Sequence, residues 1–174
     1  MRIQTIAAAG AAATVALLLP GPAWGNNAAN VVKAAGSLTV YDDPYGNGAP
    51  NPTAGGTARV HAVANSSGQA GKTIVTLHVS GLAPGREFGS HVHILACGDN
   101  KAGGHYRNDP AGPATPDNEV WLDFTTDEGG SGNAQAVVDW TIRPGGAKAV
   151  VIHDHKTEVG GAAGAKLACL DVAF

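Results

Sequence analysis

After Gly36, every apolar segment of the 174-residue chain is short, alternates apolar with polar residues, and ends at a glycine, a proline or an Asn/Asp-rich turn. A period of two sends successive side chains to opposite faces of a strand, whereas no window after residue 25 sustains the 3.6-residue period of an amphipathic helix. About eight such segments can be counted: Gly36–Tyr41, Thr57–Ala64, Lys72–Ser80, Phe88–Ile94, Glu119–Thr126, Ala134–Thr141, Lys148–His153 and Ala165–Ala173. The pattern predicts an all-β fold, an eight-stranded Greek-key β-sandwich or flattened barrel. Val92 and Ile94, then Val120, Leu122 and Phe124, then Val150 and Ile152, are the expected inward-facing rows. The turn Asp127–Asn133 is expected to pair the fifth segment with the sixth.

The N-terminus reads differently. One positive charge at Arg2, an apolar run from Ala11 to Leu19, and Pro20 followed by Pro22-Ala23-Trp24-Gly25 have the layout of a secretory signal peptide, and the run is too short for a comfortable membrane span. This divides the chain into a signal peptide (1–25), a flexible leader (26–35) and one β domain (36–174). It predicts an exported protein, periplasmic, cell-envelope or extracellular, with no transmembrane segment in the mature chain. Removing Arg2 takes the net charge from −3 to −4, which argues against nucleic acid or an anionic membrane as partner. Cys97 and Cys169 are the only cysteines, and an even pair in an oxidising compartment reads as one disulfide, with two free thiols as the other reading. A homodimer is possible, although no distinctive apolar patch is legible.

The chemistry concentrates in histidines. On a strand, His91 and His93 share one face with Val92 and Ile94 on the other, and His153 has the same phase relative to Val150 and Ile152. The turn-rich stretch after Cys97 runs about twenty residues, a length that in a compact domain usually carries function, and it contains His105. Folded over the strands, it would bring a fourth imidazole to the other three. Four imidazoles without a thiolate suit Cu(II) or Zn(II), and a tetragonal nitrogen set favours copper. His61 and His78 read as solvated strand residues. His155, two residues beyond His153, reads as a surface histidine that could otherwise add a further imidazole.

The order of these motifs resembles the copper/zinc superoxide dismutase family: Gly81-Leu82-x-Pro84-Gly85, Gly89-Ser90-His91-Val92-His93, a cysteine, Gly104-His105-Tyr106, Val151-Ile152-His153, and Gly164-Ala165-Lys166-Leu167-Ala168-Cys169. The likeness runs from about Gly36 to the C-terminus. It implies an eight-stranded Greek-key barrel, a Cys97–Cys169 disulfide, copper held by His91, His93, His105 and His153, and the conversion of superoxide, a small anion, to oxygen and hydrogen peroxide. His105 would carry the proton and occupy the position that bridges copper to zinc. The family's zinc subsite adds two histidines and an aspartate after that bridge, yet Gly104–Asp123 holds no histidine but His105, and Asp123 is out of register. The family's arginine before Leu-Ala-Cys is here Lys166, and the segment between His153 and Cys169 is short. These losses resemble the copper-only branch and argue against zinc. Glu119, or else Asp123, would then hydrogen-bond the outer nitrogen of His105, and Lys166 would attract the anion. The alternative is a non-catalytic copper-binding or copper-delivery protein on the same fold.

Overall fold

The computed structural model describes residues 30–65 and 71–174, so the expected signal peptide lies outside the described residues. Among these residues no segment is helical. The strands are β1 (Asn30–Ser37), β2 (Thr39–Val40), β3 (Thr57–Asn65), β4 (Lys72–Ser80), β5 (Glu87–Phe88), β6 (Ser90–His93), β7 (Phe124–Thr125), β8 (Gly132–Val138), β9 (Ala149–His153) and β10 (Lys166–Asp171). Two antiparallel four-stranded sheets result, in the orders β1-β3-β4-β8 and β2-β10-β9-β6, with β5-β7 as a short separate pair. The chain leaves β4 for the second sheet and returns to lay β8 beside β4; it leaves β6 and returns to lay β9 beside β6. Those skipped neighbours are the Greek-key crossings of the expected flattened sandwich.

The core between the sheets is built from the predicted rows. Val60, Val75 and Leu77 from one sheet meet Val92, Val150 and Ile152 from the other, with Val120, Leu122 and Phe124 closing one side, all buried. The second sheet is also covered on its outer side, by Tyr41, Cys97, Ala102, Ala149, Val151 and Cys169. Two-sided burial explains why β9 reads as a continuous apolar run, Ala149-Val150-Val151-Ile152, where alternation would be expected of a strand with one wet face. The Cys97–Cys169 disulfide ties this outer layer to β10.

Four expectations need correction. Residues 30–35, read as leader, belong to β1, which pairs with β3 in continuous register from Asn30↔Ala64 to Ser37↔Thr57; Val32 and Ala34 pack on the core and hold the strand in place. The segment Gly36–Tyr41 is divided at buried Leu38, whose N–H donates to Gly56 O at 2.9 Å while the chain passes from one sheet to the other. β8 pairs with β4, and β7 with β5, so Asp127–Asn133 is a sheet-changing turn and no hairpin joins β7 to β8. Ile94 is 41% exposed, because its N–H bonds to Gly104 O and turns the chain out of β6, after which strand alternation no longer sets the side-chain direction.

Register also produces a feature that no single segment contains. Val31, Val63, Ile74 and Val137 lie side by side across all four strands of the first sheet. Val31 and Val137 are each 52% exposed on its outer face.

Candidate metal centre

β6 carries the site because both of its faces are covered. Val92 enters the core, and His91 and His93, on the opposite face, are fully buried. Their cover is the stretch 94–123, which returns alongside β6. Asn100, Lys101, Ala102 and Gly103 reverse the chain with positive φ throughout (46°, 49°, 65° and 65°). Residue 105 then comes opposite residue 93, and residue 121 opposite residue 91. Ile94 N bonds to Gly104 O and Tyr106 N to Val92 O, on either side of the His93–His105 pair. This makes it a non-hydrogen-bonded pair, the kind that brings facing side chains closest. His153 closes β9 opposite Gly89, to whose carbonyl its N–H donates at 2.8 Å.

Period two and this return loop bring the four predicted histidines together. One nitrogen from each of His91, His93, His105 and His153 lies within 4.8 Å of the others. His91 stacks on His105 with centroids 3.9 Å apart, and the Nε2 atoms of His93 and His153 are 3.2 Å apart. Outward, each ring has a fixed partner. His93 Nδ1 donates to Gly103 O (3.1 Å) and His153 Nδ1 faces Gly164 O (3.4 Å). His105 Nδ1 donates to Glu119 Oε2 (2.8 Å). His91 Nε2 lies 2.8 Å from Thr157 Oγ1.

A carbonyl can only accept, so Nδ1 of His93 and of His153 carries the proton and Nε2 is left with a lone pair. Two such lone pairs at 3.2 Å repel one another unless a cation lies between them. His91 Nδ1 is also buried without a partner, one of two such side-chain polar atoms among the described residues, the other being Ser90 Oγ. Buried polar atoms are nearly always satisfied, and an unpartnered ring nitrogen among three others fits a metal ion. Burial, helped by the neighbouring imidazoles, pushes His91 and His93 far below the ordinary histidine range. Burial and His105 push His153 down to about 4. His91, His93 and His153 are therefore held neutral, the state a ligand requires.

Glu119 sits where sequence reasoning placed it, against the outer nitrogen of His105. Its fully buried carboxylate also accepts from Arg107 Nε at 3.0 Å and Trp121 Nε1 at 2.9 Å. Burial alone would raise this carboxyl; the hydrogen bonds from His105, Trp121 and Arg107 and the charge of His105 outweigh it and hold it below the usual range. Asp123 does not reach His105. It accepts from Ser90 N, Thr157 N and Thr157 Oγ1. Lys166 pairs with His153 across β10 and β9, but its ammonium donates to the carbonyls of Lys101 and Gly103 and so braces the loop that covers the site. His155 stays outside the cluster, half exposed, with Nδ1 on Lys156 O. His61 and His78 are exposed on the first sheet.

Sequence reasoning gave no role to Arg107, Trp121 or Thr157. The first two carried a signal: Arg107 is two residues from His105 and Trp121 two from Glu119, so on extended backbone each shares its neighbour's face. Thr157 carried none, because its approach to His91 is made by a loop.

No family model matches the chain, and no curated protein matches it. Among solved structures, the crystal structure of a SOD-like protein from Bacillus subtilis aligns at 14% identity over 83% of this chain and 99% of that chain, with a TM-score of 0.46.

Proposed function

We propose that the protein is an exported, copper-dependent superoxide dismutase that works without zinc. The observation that carries this reading is the convergence of three buried imidazoles, His91, His93 and His153, with the part-buried ring of His105, one nitrogen of each turned toward a common centre. His91 through Nδ1, and His93, His105 and His153 through Nε2, would hold the ion. Copper bound there would supply a one-electron redox centre for turning two superoxide ions and two protons into oxygen and hydrogen peroxide.

The surrounding residues supply the rest. His105 is the only one of the four rings in partial contact with solvent, with 16% of its side chain exposed. Glu119 accepts from His105 Nδ1 and fixes the ring with Nε2 inward, the atom at which a proton needed to form peroxide would be taken up and passed on. The same carboxylate supports the absence of zinc. It occupies the outer nitrogen of His105, and the positive charge facing it is the Arg107 guanidinium. A carboxylate hydrogen-bonded to a ligating imidazole orients the ring and raises its basicity, the task an outer metal would otherwise share. Lys166 adds positive charge near His93 and His153 and lowers both, a field that favours a small anion. The Cys97–Cys169 disulfide is compatible with an oxidising compartment.

The test is to offer the mature chain Cu(II) and Zn(II) together, remove unbound metal, and measure metal content and superoxide dismutation. One copper, no zinc and catalysis are expected. One tightly bound copper without catalysis would indicate a copper-binding or copper-delivery protein, and retained zinc would overturn the zinc-free reading.

A further inference from the structure

The four imidazoles differ in what stands behind them. His93 and His153 face carbonyls and His105 faces a carboxylate, while His91 faces a hydroxyl, which can either donate or accept. A hydroxyl alone does not choose a tautomer. Here the choice is made one atom further out. Thr157 Oγ1 lies 2.6 Å from Asp123 Oδ1, and both oxygens of that carboxylate already receive backbone donors, Ser90 N on Oδ1 at 3.1 Å and Thr157 N on Oδ2 at 2.9 Å. Asp123 is thereby set as an acceptor, the single hydroxyl proton of Thr157 goes to it, and the lone pair left on Oγ1 can only accept from His91.

We infer that Thr157, oriented by Asp123, is a positioning residue that fixes His91 with its proton on Nε2 and so turns an unprotonated Nδ1 toward the centre. This role presupposes the copper reading for its purpose, while the hydrogen bonds of Thr157 alone set the tautomer. It accounts for the one ring nitrogen that, among the described residues, is buried without a partner. It also accounts for Gly89, where a Cβ would come within 2.6 Å of His155 O, 2.7 Å of Ala163 Cβ and 3.3 Å of Thr157 Oγ1. Only a residue without a side chain lets the 155–163 segment lie close enough to β6 for Thr157 to reach His91. The hydroxyl further keeps the Asp123 charge one atom away from His91, in contrast to the direct contact between Glu119 and His105.

The test compares Thr157→Val, which keeps shape and removes the acceptor, with Thr157→Ser, which keeps the hydroxyl. Imidazole nitrogen NMR of the metal-free chain reads the tautomer, and competition titration reads the Cu(II) dissociation constant. Wild type and Thr157→Ser are expected to show His91 protonated on Nε2 only. Thr157→Val is expected to show mixed tautomers and to bind Cu(II) roughly 10- to 100-fold more weakly, the usual consequence of losing such a partner. A wild-type spectrum with the proton on Nδ1, or a Thr157→Val chain with one tautomer and unchanged affinity, would overturn the inference. The tautomer is read without metal, so a wild type that binds no copper would sink the functional reading while the spectrum still decides this one.

Discussion

Glu119→Gln separates the charge of the carboxylate from its shape. Glu119 is fully buried and receives three donors. An amide offers one acceptor oxygen, which can serve His105 Nδ1 and Trp121 Nε1 together because both now share Oε2. Its NH2 would then face Arg107 Nε, donor against donor, but 38% of the Arg107 side chain is exposed and the guanidinium can turn to water. The loss is therefore the charge assistance of two buried bonds, the difference between ~1.5–3 and ~0.5–1.5 kcal/mol for each, or about 2 kcal/mol in total. Glu119→Ala leaves both donors without an acceptor and opens a cavity, about 4 kcal/mol. Urea denaturation of the metal-free chains should show the two midpoints falling in that order with unchanged slope. Copper titration should show a roughly 10- to 100-fold weaker dissociation constant for Glu119→Gln. A Glu119→Gln chain with wild-type stability and wild-type affinity would refute the reasoning, since a buried carboxylate receiving three donors cannot be indifferent to its charge.

Three further outcomes follow from the same geometry. His91, His93 and His153 are held below the ordinary 6.5, His153 at about 4, so on acidification the unfolded chain takes up to three protons that the fold refuses. Stability of the metal-free protein should fall as pH drops from 6.5 toward 4, by up to about 4 kcal/mol per pH unit (three groups at ~1.36 each), and denaturant midpoints that stay level from pH 7 to 5 would contradict this. Lys166→Met removes two donors to the carbonyls of Lys101 and Gly103 and should cost about 1–2 kcal/mol. It should also flatten the salt dependence of the dismutation rate, and an unchanged salt slope would remove any role of this charge in attracting the anion. Gly89→Ala must displace the 155–163 segment and should cost about 1–3 kcal/mol together with a weaker copper affinity; a variant matching wild type in both would show that the close approach is dispensable.

What could be read from the chain in advance was whatever a period of two controls. The phase of His91, His93 and His153 against Val92, Val150 and Ile152 placed three imidazoles on one side of one sheet, and the structure puts them there. His105 could be reached only through the length of the turn-rich stretch that holds it, because a loop has no period, and its place depends on the left-handed run Asn100–Gly103. Strand partners were less legible. Asp127–Asn133 looks like a hairpin turn whether its strands pair or change sheets, and the choice rests on β4 offering β8 an open edge. Leader and first strand were confused because an Ala- and Asn-rich edge strand carries little apolar signal of its own. The row Val31, Val63, Ile74 and Val137 exists only once four strands are in register. Thr157 is four residues from His153 in sequence and beside His91 in space, a relation that Gly89 and the loop create and no spacing announces.

The most direct test of the central claim is the superoxide dismutation rate of the mature, zinc-free chain, measured as Cu(II) is added in steps. If the four histidines form a single catalytic copper site, the rate rises in proportion to copper, breaks at one equivalent per chain, and is abolished by His153→Ala. A chain that binds one equivalent of copper at these histidines and leaves superoxide decay at the rate of the metal-free control would contradict the account.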